Sequence, residues 1–560
     1  MTSNLKKNLP NILFVSLFII FGIIIFWRCR YGCASLDESF YLIFPYRFLQ
    51  GDRFIVDEWN NTQLASVFLM PIMYVYMKIV GNTDGIFLFM RYLYTVFNVL
   101  ISIFIYLKLK KMNKYGAMVS SLFFLIYCPY NIMALSYNTI AIGAFICSLF
   151  FLYTDQNNKY SFLSYIISGI LLSWSVICNP YDAIIYIIYL IIFIVAKLKN
   201  HHFNNEVLKI MFSDKAFKGI FIGILLMAIV FLSVILHNNS ISDIIKSIPY
   251  IVLGDAEHPV KVWWKIIPSF IVRCISRNDK HIPTLMMFML LGLEILIYHF
   301  QKNKNDLLKT LIIITNIIMI LSYAIIDGYI NFIPYAIVVF SISLLIINEN
   351  INSDMLYILI IPGILFCFCS FIASNTGFYV ISAFSIVSAI GSIVVIIEII
   401  EKSKFNYNKC LVIIYIILSF VFLMLFRINF VFGSDGQIAE QKTLITEGIS
   451  RDLIVENESA SKYYQTLEDT KDIRNDDGNL IVIGNDNTWI YLCSKMRNVS
   501  YSAMGGSDFN KIKYYESLHG KTDVDYIYIE CDSIDNQVLN KLSDYYNLTV
   551  NKLKSGYVLD

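Results

Sequence analysis

Charged side chains are scarce in this chain. Only 15% of its 560 residues are Asp, Glu, Lys or Arg, whereas 57% are hydrophobic and the mean hydropathy is +0.62. Soluble domains are about 45–50% apolar. The composition therefore excludes an ordinary soluble protein and predicts an integral membrane protein. Its net charge of only +2 gives no reason to expect a nucleic-acid partner.

The sequence also lacks a cysteine framework and a metal-binding spacing. Most of its 11 cysteines lie inside hydrophobic segments, and we expect only Cys29 with Cys33, and Cys493 with Cys531, outside the membrane. Either pair could form a disulfide, but nothing in the spacing is diagnostic, so we expect free thiols. No Cys/His spacing suggests zinc, and no internal repeat is visible.

Charge divides the chain into two parts. After Arg427 the chain has 21 acidic and 13 basic residues, so the preceding part is basic. We predict a transmembrane domain at 1–430 and a soluble domain at 431–560. Residues 480–484 and 525–529 have the pattern of buried strands, 548–550 with 557–559 that of a hairpin, and 487–495 that of a helix. The soluble domain should therefore be a small α/β domain.

Apolar runs predict about thirteen membrane spans. They lie at 11–27, 86–107, 115–132, 138–153, 161–177, 183–197, 218–236, 283–300, 309–326, 330–347, 355–373, 378–399 and 410–427.

Lysine and arginine set the orientation, because cytoplasmic loops are enriched in both. Alternate loops are rich in lysine, and the short loops between them contain neither residue. The N-terminus is therefore expected in the cytoplasm and the soluble domain outside the cell membrane. Two outer loops are long, at 28–85 and 237–282. In the first, 40–49 and 64–80 resemble helices that lie on the membrane surface.

Two adjacent carboxylates, Asp37 and Glu38, directly follow the first span. Carboxylates near a bilayer are costly to place and usually have a function. The alternative is that both residues only cap the helix that follows. Downstream come an aromatic run at 40–46, a Gly-Asp pair at 51–52 and a Pro/Tyr-rich segment before the next span.

This arrangement resembles the GT-C superfamily of membrane glycosyltransferases, in particular bacterial relatives of the protein O-mannosyltransferases and the aminoarabinose transferases of lipid A. The resemblance covers about 1–110 by motif and 1–430 by topology. It implies that Asp37 is the general base, which takes a proton from an acceptor hydroxyl as that hydroxyl attacks the sugar. Glu38 is the second candidate catalytic residue, and we expect its role to be orienting the loop rather than taking part in the chemistry.

The resemblance also implies cationic residues that bind the phosphate of a lipid-linked donor. Arg91, near the outer end of the second span, takes this role, with snorkelling or pairing to Asp84 as the alternative. In the second long loop we expect His258, Lys261 and Arg273 as further phosphate ligands, although such residues more commonly face solvent or lipid headgroups. Trp263 and Trp264 are expected to anchor the membrane interface.

Polar residues on the same side of the membrane are candidates for binding the sugar or the acceptor. The set comprises Asp57, Glu58, Trp59, Gln63, Tyr137, Asn138 and Asp182. A solvated turn is the alternative for the first four residues. A helix cap is the alternative for Asp182.

The sequence thus predicts an inverting glycosyltransferase of the cytoplasmic membrane. Its partners would be a polyprenyl-phosphate sugar, membrane lipids, and a glycan, lipid or protein acceptor of the cell envelope. No cofactor is required, but Asp37, Glu38 and Asp57 could hold a divalent cation. The alternatives are a transporter or flippase of lipid-linked sugars, and an envelope-polysaccharide polymerase or ligase. Polar residues at the outer ends of the spans, rather than at the midplane, favour the enzyme over the transporter.

Overall fold

Long apolar runs become long helices, because a helix satisfies its own backbone hydrogen bonds in lipid. The computed structural model describes residues 2–33, 35–154, 159–199, 203–252, 262–275, 282–301, 306–327, 331–348, 353–374, 376–403, 407–433, 437–484, 486–504, 508–530 and 536–560. The helices before the soluble domain are α1 (Thr2–Arg28), α2 (Ser35–Leu49), α3 (Ser66–Val80), α4 (Ile86–Leu109), α5 (Lys114–Ile126), α6 (Tyr137–Leu152), α7 (Ser161–Cys178), α8 (Ala183–Leu198), α9 (Glu206–Met211), α10 (Asp214–Leu236), α11 (Ile241–Val252), α12 (Trp263–Ile275), α13 (Ile282–Phe300), α14 (Asp306–Asp327), α15 (Phe332–Ile347), α16 (Ile361–Ala373), α17 (Phe378–Phe384), α18 (Ile386–Lys402) and α19 (Tyr407–Asn429).

The predicted multi-pass membrane fold is confirmed. Within the described residues, nine helices are long and apolar enough to cross a membrane, and the pair α17–α18, bent by 54°, could add a tenth. Helices α6 and α15, and the part Leu285–Phe300 of α13, are apolar but shorter. The span predicted at 115–132 is shorter than expected: α5 ends at Ile126 and has only 13 residues. At 1.5 Å per residue such a helix is about 20 Å long, less than the ~30 Å hydrocarbon core.

Small residues let some of these helices approach closely, as is common in membranes. A Cβ atom at Gly169 of α7 would lie 2.2 Å from the carbonyl oxygen of Ile220 in α10. A Cβ atom at Gly223 of α10 would lie 2.2 Å from the carbonyl oxygen of Ile166 in α7. The two glycines therefore permit backbone contact between α7 and α10.

The two segments expected on the membrane surface are placed differently. Helix α2 is not interfacial: every residue from Tyr41 to Phe48 is buried. The soluble domain covers it, and this covering could not be read from the apolar pattern alone. Helix α3, with the turn before it, belongs to the nine helices that meet the length and hydropathy expected of a span.

The C-terminal part of the chain from residue 431, which we call the soluble domain, is built on a mixed sheet; the sequence predicted a small α/β domain here. Its strands are β1 (Thr443–Leu444), β2 (Ile454–Val455), β3 (Asn479–Ile483), β4 (Arg497–Asn498), β5 (Tyr526–Glu530), β6 (Val550–Lys552) and β7 (Gly556–Leu559). Its helices are α20 (Asn457–Asp469), α21 (Lys471–Asn475), α22 (Ile490–Cys493), α23 (Phe509–His519) and α24 (Asn536–Tyr546).

Five of these strands form one sheet in the order β4-β3-β5-β7-β6. Strands β3 and β5 pair in parallel, and Leu480–Ile483 and Ile527–Ile529 are buried, which confirms the two predicted strands. Strands β6 and β7 form the predicted antiparallel pair. The helix expected at 487–495 is shorter, since α22 has only four residues.

The soluble domain docks onto α2 and the loop after it through a buried charge network. The guanidinium of Arg47 pairs with Asp52 and donates to Glu58 Oε2 at 2.9 Å and to the carbonyl oxygen of Ser500 at 2.7 Å. Arg47 and Glu58 are 2% and 0% exposed. Two charges so fully buried are tolerated only when each satisfies the other. The domain is thus held against the loop that carries the carboxylate pair.

Replacing Arg47 should loosen this docking. In Arg47→Ala, the carboxylates of Asp52 and Glu58 lose their buried partner, and we expect a loss of about 3–5 kcal/mol in unfolding free energy. Arg497→Ala is the matched control, because Arg497 also pairs with Asp52 but is 56% exposed, and it should cost less than about 1 kcal/mol. Thermal and denaturant unfolding in detergent measure both. Equal losses would contradict the assigned network.

Candidate active site

Residues of the soluble domain hold the turn between α1 and α2 in place. Gly32 adopts φ +79°, a conformation that side chains disfavour, and a Cβ there would lie 2.2 Å from Val431 Cγ1. Its N–H donates to the carbonyl oxygen of Ile454 at 2.8 Å. Asp37 and Glu38 follow in the first turn of α2, where the helix dipole favours negative charge. Both carboxylates therefore have a defined position.

Glu38 is locked by an ion pair. Nε and Nη2 of Arg91 donate to Oε1 and Oε2 of Glu38, each at 2.6 Å. Nη1 of Arg91 donates to the carbonyl oxygens of Cys29 and Tyr31 at 2.8 and 3.3 Å. The Glu38 and Arg91 side chains are 2% and 3% exposed. The structure therefore makes Arg91 the partner of Glu38, not of Asp84, and its role toward a donor phosphate stays a prediction.

Asp37 has a different environment. Among the described residues, its carboxylate has no hydrogen-bond or ion-pair partner. Burial, with a smaller contribution from the Glu38 carboxylate, raises the pKa of Asp37 to about 6. A general base works best when its pKa lies near the operating pH. Of the two adjacent carboxylates, Asp37 is therefore the one able to accept a proton.

Three tyrosines surround Asp37. Tyr41, Tyr130 and Tyr137 all lie within electrostatic reach of its carboxylate. The ring centroids of Tyr41 and Tyr137 are 5.8 Å apart in an edge-on arrangement. Tyr137, a predicted sugar-binding residue, is therefore near Asp37, and Asn138 follows it in the first turn of α6.

The backbone that positions Tyr130 is strained. Tyr130 and Asn131 have φ values of 55° and 58°, which non-glycine residues rarely adopt. The N–H of Tyr130 donates to Asn331 Oδ1 at 2.9 Å, and Asn131 is bound by Nη1 of Arg427. Strain of this kind persists only where neighbours enforce it, and it concentrates at functional sites.

Two further buried arginines, Arg28 and Arg427, belong to the same region as Arg91, since all three act on the Cys29 side chain. Sequence reasoning did not select them. They are each 1% exposed, and Arg28 is close enough to both Arg427 and Arg91 for charge repulsion. Arg28 donates to the carbonyl oxygens of Tyr31, Ile428 and Phe430. Nε of Arg427 has no partner among the described residues. The sequence did contain a sign of them: each is an arginine at the outer end of an apolar span, as Arg91 is.

Four residues predicted to bind the acceptor instead support the loop after α2. Asp57 pairs with Arg53 at 2.9 Å, and Glu58 with Arg47. The indole of Trp59 stacks on Tyr250 with centroids 5.0 Å apart, and its backbone N–H donates to Tyr501. Oε1 of Gln63 accepts from the N–H of Ile55, which has φ +69°. Because these side chains are buried and bonded, we assign them a scaffold role.

The remaining predicted residues make no described contact with Asp37 or lie outside the described residues. Asp182 is fully buried and accepts from Ser175 Oγ at 2.6 Å and Asn179 Nδ2 at 2.9 Å, so it joins the end of α7 to the start of α8. Arg273 is partly buried in the last turn of α12. His258 and Lys261 lie outside the described residues. Trp263 and Trp264 are 76% and 60% exposed, as an interface anchor requires.

The proposed divalent-cation site is not assembled in the described part of the chain. No three His, Cys, Asp or Glu side chains there lie close enough to hold a metal ion. Glu38 is bound to Arg91 and Asp57 to Arg53, so two of the three candidate ligands already have cationic partners.

Comparisons with known proteins find only distant structural similarity. No protein-family model matches the chain, and no curated protein does. The archaeal oligosaccharyltransferase AglB from Archaeoglobus fulgidus, in complex with an inhibitory peptide and a dolichol-phosphate, aligns at 11% identity and TM-score 0.47, covering 94% of this chain and 70% of that one. The enzyme from the same organism with a tethered acceptor peptide aligns at 12% identity and TM-score 0.49, covering 94% and 70%. Similarity at this level assigns neither an activity nor a substrate to the present chain.

Substituting Asp37 should change how stability depends on pH. A carboxyl whose pKa rises from its ordinary 3.8 to about 6 on folding stabilises the fold below pH ~4, and this contribution is lost as the pH rises to ~6. Relative to Asp37→Asn, the wild type should therefore lose stability across this window, by at most about 3 kcal/mol. Thermal unfolding in detergent from pH 4 to 8 measures the difference. A constant difference would contradict the burial of a titrating Asp37.

Proposed function

We propose that this protein is a membrane glycosyltransferase that moves a sugar from a polyprenyl-phosphate carrier to a cell-envelope acceptor, with Asp37 as the general base. The observation that carries the proposal is the contrast between two neighbouring carboxylates. Glu38 is neutralised by Arg91 at 2.6 Å, whereas Asp37 has no described partner and a pKa raised to about 6. A carboxylate that only caps a helix accepts hydrogen bonds from it. An unpaired, partly buried carboxylate is instead suited to proton transfer.

The reaction would proceed as one displacement. The acceptor hydroxyl attacks the anomeric carbon, and the bond from that carbon to the phosphate oxygen breaks. The electron pair of that bond leaves with the lipid phosphate, and the acceptor proton moves to Asp37. Attack opposite the leaving group inverts the anomeric configuration. Asp37 thus contributes general-base catalysis, and Glu38 keeps the first turn of α2 in place through Arg91.

A lipid phosphate would complete the charge balance next to this site. Arg28, Arg91 and Arg427 carry three positive charges, and Glu38 is the one carboxylate paired with them in the described structure. Excess positive charge at buried positions is unfavourable, and Arg427 has a donor, Nε, without a partner. A phosphate in this region would be stabilised by the cluster, with Arg91 contributing its charge while it stays bonded to Glu38.

The same proposal includes the orientation of the chain. The Asp37 site and the soluble domain would face away from the cytoplasm, since the lysine-rich loops belong to the opposite side. A polyprenyl-phosphate donor is compatible with this side, because it does not require a soluble nucleotide sugar. The acceptor would be a glycan, lipid or protein of the cell envelope.

Removing the base should abolish transfer without unfolding the protein. In Asp37→Asn we expect transfer from a polyprenyl-phosphate sugar to fall about 10²–10⁴-fold, while binding of the donor persists. Asp84→Asn is the control, because Asp84 is a partly exposed acid of the same loop whose nearest described cation, on Arg451, is 3.8 Å away. It should retain wild-type turnover in nanodiscs. Undiminished transfer by Asp37→Asn would refute the mechanism.

The pH dependence provides a second test. Because Asp37 must be ionised to accept a proton and its pKa is about 6, transfer should rise as the pH increases through ~6 and then level off. Glycosyl transfer by wild-type protein between pH 4.5 and 8 measures this, with a stability control at each pH. A rate that is independent of pH in this range would argue against Asp37 as the titrating base.

A further inference from the structure

Helix α11 (Ile241–Val252) has an exposed apolar face. Ile241, Ile245 and Ile248 recur at spacings of four and three, so they lie on one side of the helix, within about 60° of one another around its axis. These isoleucines are 65%, 61% and 43% exposed, and Pro249 beside them is exposed as well. Single exposed apolar residues are ordinary, but a contiguous apolar strip on a helix marks a surface that meets a partner or a membrane.

The opposite side of α11 is attached to the soluble domain and to the loop after α2. The ring of Tyr250 stacks on the rings of Trp59 and of Tyr514 in α23, with centroids 5.0 and 4.1 Å away. Oδ2 of Asp243 lies 3.9 Å from Nη1 of Arg53. Asp243 and Tyr250 are on the side of the helix roughly opposite the three isoleucines. The isoleucine strip therefore faces away from the soluble domain.

The isoleucine strip continues the exposed apolar surface of α10. Helix α10 has the length and hydropathy of a membrane span and ends at Leu236, four residues before α11 begins. Leu232 and Leu236, in its last turns, are exposed. Nδ2 of Asn239, in the connection, donates to the carbonyl oxygens of Ile235 and Phe54 at 2.7 and 3.0 Å, which holds α11 close to the end of α10. The apolar face of α11 thus begins where a span ends.

We propose that α11 is a membrane-surface helix whose isoleucine strip rests among phospholipids and anchors the soluble domain to the bilayer. Its 12 residues extend about 18 Å, too short for the ~30 Å hydrocarbon core, so α11 lies along the membrane rather than across it. Lys246 borders the strip and is exposed, whereas Asp243, the acidic residue of α11, faces Arg53. An apolar strip bordered by a lysine fits the boundary between acyl chains and anionic headgroups. The inference does not depend on the proposed reaction.

Phospholipids that label the residues they touch provide the test. Full-length protein is placed in nanodiscs of phosphatidylethanolamine and phosphatidylglycerol, with a trace of phospholipid that carries a diazirine either high on one acyl chain or at its end. After irradiation, peptide mass spectrometry locates the labelled residues. We expect the high diazirine to label Ile241, Ile245 and Ile248 at least about fivefold more than the terminal one does. Leu225, which is exposed at the middle of α10, should show the reverse preference.

Helix α24 is the control for labelling that occurs in water. It belongs to the soluble domain and is of similar length, with 11 residues. Its exposed positions are polar: Gln537, Asn540, Lys541 and Asp544. We expect no more label on α24 than in a sample that was not irradiated. An unlabelled α11 beside a clearly labelled α10, or equal labelling of α11 and α24, would overturn the proposal.

Substitutions in α11 connect the labelling to the isoleucine strip. Ile245→Asp places a charge at the centre of the strip, and because the position is exposed the protein should still fold. We expect the label on residues 241–248 to fall at least about fivefold, since a carboxylate resists entry into the bilayer. Ser242→Asp, the matched control, adds the same charge at an exposed polar position of α11 and should keep most of the label. Ile245→Ser is the milder variant if the charge lowers the yield. Wild-type labelling in the Ile245 variants would refute the anchor.

Other partners of the strip would give different results. If it binds a second copy of the chain, α11 stays unlabelled, the nanodisc contains two copies by mass, and Ile245→Asp reduces them to one. If it binds the polyprenyl chain of a donor, label appears only from a diazirine on added polyprenyl phosphate. Either result rejects the phospholipid anchor. None of these measurements uses glycosyl transfer, so they decide the anchor even if the proposed function fails.

Discussion

The buried ion pair between Arg91 and Glu38 connects the parts of this protein that matter for its site. It joins α4 to the first turn of α2, and the third nitrogen of Arg91 binds the carbonyl oxygens of Cys29 and Tyr31 at the end of α1. Because Glu38 is held, Asp37 is fixed one residue earlier with its carboxylate unpaired. A charge pair this deeply buried adds little net stability. What it provides here is a defined position for the neighbouring carboxylate.

The soluble domain also helps to hold the turn that carries Asp37. It covers α2 through Arg47, contributes the carbonyl oxygen of Ile454 to Gly32, and packs Tyr501 against Trp59. The turn that carries Asp37 is therefore enclosed by the membrane helices on one side and by the soluble domain on the other. This explains why an aromatic helix next to the membrane is buried rather than interfacial.

Hydropathy and strand patterns predicted the helical membrane part, a C-terminal region with a small sheet, and strands β3 and β5. The position of Asp37 and Glu38 at the start of a helix was also readable. Local patterns could not predict which carboxylate pairs with Arg91, or that Arg28 and Arg427 converge, since the residues that meet are separated by 53 to 400 positions. Asp57, Glu58 and Trp59 look like solvent-facing polar residues in sequence, yet contacts with distant parts of the chain bury them.

The most direct test of Asp37 as the base uses a nucleophile that needs no deprotonation. Azide can attack the anomeric carbon as an anion, forming a carbon–nitrogen bond while the polyprenyl phosphate leaves. Asp37→Ala, given a lipid-linked sugar and azide, should form a glycosyl azide of inverted configuration while remaining inactive toward the hydroxyl acceptor. Failure of azide to restore sugar release, alongside active wild type, or a product of retained configuration, would contradict the account.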